Sequence, residues 1–144
     1  MAARENGPMP RPADDARCPC LSGLVHADCC GPLHAGIAAG GPYAPTAEAL
    51  MRSRYSAFAV GDAPYLLATW HPSTRPDHLK LDDDVEWRRL DVVRTSAGGP
   101  FDDAGVVEFV AHHRGTDGRG RLHEVSRFVR EGGRWFYVAG DRVS

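Results

Sequence analysis

Lysine is almost missing from this sequence: of 17 basic residues only Lys80 is lysine and the rest are arginine. Both types carry the same charge, so this reflects genomic composition and not function. A surplus of either sign is missing too, because 19 acidic residues bring the formal net charge to -2. Such a balance gives no global attraction to nucleic acid or to an anionic membrane. No stretch approaches the roughly 20 apolar residues that span a bilayer, and Met1 to Arg17 lack the apolar core of a signal peptide. A cytoplasmic protein is expected, with neither a membrane nor a nucleic acid as partner. Also missing are a nucleotide-binding loop, a nucleophile elbow and an HExxH zinc helix, so no named reaction class is signalled.

What is present is a cluster. All four cysteines lie between Cys18 and Cys30, as Cys18-Pro19-Cys20 and Cys29-Cys30. One pair from a tight turn and one pair across a short loop can place four soft ligands at tetrahedral corners, which is what zinc requires. Ser22-Gly23 can make the turn. In a reducing cytoplasm thiols favour metal over disulfides, and adjacent Cys29 and Cys30 could pair with each other only as a strained ring. An iron–sulfur cluster is awkward for the same adjacent pair. Cys18, Cys20, Cys29 and Cys30 are therefore the expected ligands of a structural Zn2+, with His26 and His34 as alternates if one thiol is left out. A closed four-thiolate site has no open position for water activation. Between Cys18 and His34 the only charged side chain is Asp28, so phosphate contacts are not expected there. Leu21, Leu24 and Val25 offer a small apolar surface, either to the rest of the chain or to a protein partner.

In chain order, residues 1–16 are expected to be a disordered tail, 17–34 the zinc knuckle, 35–45 a linker and 46–144 the main domain. Thr46 is a good N-cap, and a helix from Ala47 to about Ala59 puts Leu50, Met51, Tyr55 and Phe58 on one face. Asp62 and Pro64 start a second helix whose apolar side includes Leu66 and Trp70; His71-Pro72 stops it. The hydrophobic period then changes to 2, with strands predicted over Val85–Val93, Val106–His113, Leu122–Arg130 and Arg134–Ala139. No helical run separates them, so the sheet should be antiparallel with the helices on one face, an α+β fold.

Cys18-Pro19-Cys20-x-Ser22-Gly23 with Cys29-Cys30-Gly31-Pro32 resembles the SEC-C type of zinc knuckle. Ala49-Leu50-Met51-Arg52-Ser53-Arg54-Tyr55-Ser56-Ala57-Phe58, Thr69-Trp70-His71-Pro72 and Ser126-Arg127-Phe128 are similar to the YchJ-like family of uncharacterised bacterial proteins. The resemblance implies a nuclear transport factor 2-like (cystatin-like) domain, in which helices pack on a curved antiparallel sheet to form a cone. It brings no activity with it. Leu21 stands where such knuckles usually have Gly. Ala139 falls where related sequences tend to have Asp, which removes a carboxylate from any site near the end of the last strand.

A cone has an interior. Arg54, Tyr55, Trp70, His71, Glu124 and Trp135 are the candidate pocket residues, with Glu124 sharing a strand face with Ser126 and Phe128. Arg54 near a core needs a partner, and Glu108, Glu124 and Asp141 are the available carboxylates. The expectation is a non-catalytic module that binds a small molecule in the cone or a protein through the knuckle, with a homodimer as a further assembly. The rival is isomerase- or hydratase-like chemistry in the pocket, whose signature is a buried acid–base pair such as His71 with a carboxylate about 3 Å away.

Overall fold

The structure, a computed structural model, describes residues 17–20, 23–82 and 84–143. The expected tail over 1–16, and Leu21, Ser22 and Asp83, lie outside the described residues. A short 3-10 turn, His26–Asp28, is followed by α1 (Cys30–Ala39), α2 (Ala47–Val60) and α3 (Ala63–Ala68). Four strands follow among the described residues: β1 (Glu86–Ala97), β2 (Ala104–Gly115), β3 (Gly118–Glu131) and β4 (Arg134–Arg142). They form one antiparallel meander in the order β1-β2-β3-β4.

The ends of α2 and α3 follow from local chemistry. Thr46 Oγ1 accepts from the Ala49 N–H at 3.0 Å, Glu48 pairs with Arg52 one turn on at 3.0 Å, and Gly61 closes α2 in the left-handed conformation at φ 78°. Asp62 Oδ1 then accepts from the Tyr65 N–H at 3.1 Å and starts α3. A side chain that satisfies an otherwise orphaned N–H at a helix start is worth about 1 kcal/mol.

Two expectations need correction. The stretch 35–45, read as a linker, is helical as far as Ala39. Pro32 sits in the first turn of α1, where its missing N–H costs nothing. Gly36 lets the returning chain cross directly over the helix, since a Cβ there would collide with the Pro42 carbonyl. Likewise α3 stops at Ala68, before Trp70. Thr69 Oγ1 turns back to the Tyr65 carbonyl at 2.8 Å, and the chain then exchanges backbone hydrogen bonds with Tyr137 of β4, Tyr137 N–H to Thr69 O and His71 N–H to Tyr137 O, both 2.8 Å.

The core joins all parts. Cys18, Cys20 and Cys30 belong to the same buried cluster as Leu50, Met51 and Tyr55 of α2 and Val107, Phe109, Phe128 and Trp135 of the sheet. Leu33 and Ile37 of α1 pack on a smaller cluster of Ala57, Tyr65 and Leu66. The cysteine segment is therefore part of the domain's interior.

The outer face of the sheet carries ion pairs. His123 Nε2 meets Glu108 at 2.7 Å with Arg94 on the other oxygen at 3.1 Å, and His112 meets Asp91 at 2.9 Å with Arg89 also at 2.9 Å. The His123 hydrogen bond, then Arg94, holds the Glu108 carboxyl below its usual range; His112, then Arg89, does the same for Asp91. A carboxylate whose pKa is depressed by folding contributes stability above its unfolded pKa and loses it as pH falls through the folded one. The urea midpoint is accordingly expected to fall as pH drops below about 4.5, and Glu108→Gln to flatten that decline.

Candidate metal centre and cone cavity

The chain reverses twice to bring the cysteines together. The Cys18 N–H donates to the Leu24 carbonyl at 2.9 Å, closing the first loop, and the Cys29 N–H to the His26 carbonyl at 3.1 Å, delivering Cys29 and Cys30 at the start of α1. The four Sγ atoms all lie within 4.8 Å of one another, with Cys20 to Cys29 at 3.5 Å and Cys29 to Cys30 at 3.8 Å. No disulfide joins any of the four. Disulfide sulfurs lie about 2.05 Å apart, whereas tetrahedral ligands at about 2.3 Å from a zinc ion stand roughly 3.8 Å from each other. The donor set and its spacing fit one tetrahedral ion.

Electrostatics point the same way. Hydrogen bonds from Cys20 and Cys30 hold the Cys18 thiol far below the usual range, while Cys18, Cys20 and burial push Cys30 far above it. Four clustered thiolates, three of them buried, repel one another, so all can ionise together only around a cation. The surroundings orient the sulfurs: Cys18 Sγ lies 3.5 Å from Ser56 Oγ and 3.5 Å from His26 Nδ1. Arg52 Nη1 donates to the Cys20 carbonyl at 3.1 Å. His34 Nε2 is 2.8 Å from the Ser53 carbonyl of α2. Both histidines named as alternate ligands are buried beside the cluster, His34 with its Nε2 turned to the helix backbone and His26 with its Nδ1 on a cysteine.

The second site is a cavity of about 320 Å³ between α2 and the inner face of the sheet. Of the six candidate pocket residues, Arg54, Tyr55, Trp70 and Glu124 line it. His71 and Trp135 do not. Trp135 is buried under the start of α2, its Nε1–H donating to the Pro45 carbonyl at 3.3 Å. His71 faces outward: the Ser73 N–H donates to its Nδ1 at 3.1 Å, and its Nε2 meets Glu131 at 3.0 Å. The His71–Glu131 pair has the spacing set out for an acid–base couple, but Glu131 is 62% exposed and the pair lies outside the cavity.

Arg54 also departs from expectation. Among the described residues no carboxylate lies within ion-pair distance of it; its Nη1 donates to the Leu66 carbonyl at 2.8 Å and to Thr69 Oγ1 at 2.7 Å. Its guanidinium lies 4.6 Å from the Tyr137 ring and 5.1 Å from the Trp70 ring, two rings packed edge to face. Glu124 Oε2 accepts from Ser126 Oγ at 2.5 Å and lies 3.4 Å from the Tyr137 hydroxyl. Burial pushes Tyr55 and Tyr137 each up to about 12, so both hydroxyls remain protonated donors at neutral pH.

Gly140 makes the Glu124 position available. A Cβ at residue 140 would collide with Glu124 Oε2. The collision is with the end of a flexible side chain, so Gly140→Ala is expected to leave the melting temperature within a few degrees of wild type while displacing the carboxylate. Loss of the Ser126–Glu124 contact in a crystal structure of the variant checks this.

The sequence reading missed Trp87, Phe58, Phe109 and Leu122, which line the cavity, and Arg142, which joins them. A β-bulge between Trp87 and Arg89 brings Trp87 and Leu90, three residues apart, to the inner face together; strict alternation separates them.

A family model described as YchJ, middle NTF2-like domain, matches residues 46–140. The chain belongs to the YchJ-like family. A SEC-C motif model matches residues 16–32 and so spans the four cysteines. A UPF0225 protein of Corynebacterium efficiens is 52% identical over 127 residues, covering 88% of this chain and 94% of that one. Another, from Chromobacterium violaceum, is 54% identical over 128 residues, covering 87% and 92%. Among solved structures, a SEC-C motif containing protein from Rhodopseudomonas palustris is similar with a TM-score of 0.73 at 34% identity, covering 88% of this chain and 98% of that one. One from Psychrobacter arcticus also gives 0.73, at 28% identity, covering 91% and 85%.

Ala139 pairs with Arg127, an exposed residue of the outer sheet face that binds Asp141 at 2.7 Å. An Asp at 139 would therefore stand outside, and its replacement takes nothing from the cavity. No helix among the described residues is long and apolar enough to cross a membrane.

Proposed function

We propose that this protein is a cytoplasmic, non-catalytic receptor whose cone cavity takes a small organic molecule and whose four cysteines hold one structural zinc ion that fixes the N-terminal segment to the cone. The observation that carries the receptor reading is the cavity itself: about 320 Å³, walled by aromatic side chains, with a buried cation and a carboxylate at fixed positions. Sites for small molecules have this composition, a mostly apolar surface with a few placed polar groups.

Binding is favoured over catalysis by what the cavity's polar groups already do. Glu124 accepts from Ser126, and among the described residues no histidine lines the cavity. Zinc is favoured over other ions by four thiolates at tetrahedral spacing, a closed set that stabilises without offering a reactive position. Docking of a protein through the knuckle is the weaker reading, since Cys18, Cys20 and Cys30 face the core and, among the described residues of the loop, Leu24 at 52% exposed is the large apolar side chain turned to solvent.

The neutral fluorophore N-phenyl-1-naphthylamine tests the receptor reading. It is expected to brighten on wild type with saturation at one molecule per chain, and not on Ala111→Phe, which fills the cavity from β2; circular dichroism checks that the variant folds. Weak, non-saturating binding equal in both proteins would contradict the proposal.

A further inference from the structure

Arg54 is 5% exposed, yet its charge is only partly answered by the protein. A guanidinium has five N–H donors, and Nη1 spends its two on the Leu66 carbonyl and Thr69 Oγ1. Among the described residues the donors on Nε and Nη2 have no acceptor and no carboxylate lies within ion-pair distance. Burial lowers the Arg54 pKa to about 10, which leaves the group protonated at neutral pH. The rings of Trp70 and Tyr137 offset part of the cost of burying this cation. A buried cation without an anion is otherwise strongly disfavoured.

The rest of the wall says what the missing anion is attached to. Among the described residues that line the cavity, Arg54 and Arg142 oppose one carboxylate, Glu124, which leaves one net positive charge. Glu124 is engaged with Ser126, and its charge disfavours a dianion beside it. The Trp70 indole N–H also lacks an acceptor among the described residues, so donors are in surplus on this side. Phe58, Trp87, Phe109 and Leu122 make the remainder apolar and largely aromatic, suited to a flat ring.

We infer that the cavity is the receptor site for a ring-bearing organic monoanion, a carboxylate or sulfonate, whose oxygens take the Nε and Nη2 donors of Arg54 while the ring lies among the aromatic side chains. The inference rests on the receptor reading above and narrows it. Fork-like contact of a guanidinium with an oxyanion is both stronger and more directional than a neutral hydrogen bond.

Two matched probes test it on the full, metal-loaded chain: 2-naphthoate and its uncharged counterpart 2-naphthamide, titrated while the indole N–H signals of the three tryptophans are followed by NMR. Naphthoate is expected to bind about tenfold or more tightly than the amide, shifting the Trp70 and Trp87 signals and leaving that of Trp135, which is tied to Pro45, in place. Arg54→Lys keeps the charge and loses the fork, and is expected to narrow the preference. The wild-type ratio decides the matter even if that variant fails to fold. Equal affinities at Trp70 and Trp87 would overturn the anion assignment and leave the receptor reading standing. If neither probe moves these two signals, and the neutral fluorophore finds no saturable site, both fall.

Discussion

Cys20→Ser is expected to lose the bound metal and to lower the stability of the entire chain by more than about 3 kcal/mol. Cys20 is fully buried, and its cluster shares a core with Leu50, Met51, Val107 and Phe128, so the metal loop has no boundary at which its unfolding can stop. Structural zinc sites contribute folding free energy directly, because the ion binds the assembled ligands and not the unfolded chain. Without the ion, the variant leaves three clustered thiols next to a core they no longer bind together. Far-UV circular dichroism and tryptophan fluorescence should show one transition at a lower urea midpoint, since Trp70, Trp87 and Trp135 all lie in the cone. A chelator should do the same to wild type. Two separate transitions, with the tryptophan signal unshifted, would mean that the knuckle is an independent module.

Phe128→Ala should be comparably severe, at about 3–5 kcal/mol, for a different reason. Phe128 is 2% exposed on the inner face of β3, and its ring meets Tyr137 edge to face at 5.8 Å. Truncation removes buried area and leaves a void beside a cavity the surrounding sheet cannot collapse, since β2 and β4 hold β3 on both sides. Tyr137 in turn lies over the Arg54 guanidinium, so the loss should reach the cavity as well. Phe128→Leu, which keeps most of the apolar volume, is expected to cost about 1–2 kcal/mol. Urea unfolding of both variants measures the difference, and equal losses would show that the ring itself is not what holds this wall.

The parts of the fold legible in the sequence were those set by local chemistry. Thr46 and Asp62 act at their helix starts as a capping side chain should, and the Gly-rich turns bound the four strands. The four thiols were legible because their spacing alone constrains the loop. The cavity was only half legible, for two reasons. The bulge after Trp87 shifts the phase of β1, which no alternation count can show. The pairing of Thr69–His71 with Tyr137 of β4 swings His71 outward to Glu131, a contact 60 residues away in the chain. Trp135 was misplaced for a third reason: it shares the inner face of β4 with Tyr137 but sits beneath the start of α2, where Pro45 takes its N–H. Arg54 found aromatic rings and a helix-end carbonyl in place of the expected carboxylate. Long-range pairing, not residue type, decided each of these.

The metal content of the protein purified without added metal tests the central claim most directly. The account predicts one zinc ion per chain, with an X-ray absorption spectrum of four sulfur ligands at about 2.3 Å and no thiol reactive to Ellman's reagent until the chain is unfolded or the ion removed. A fully folded chain without metal, its four thiols titrating freely, would contradict it.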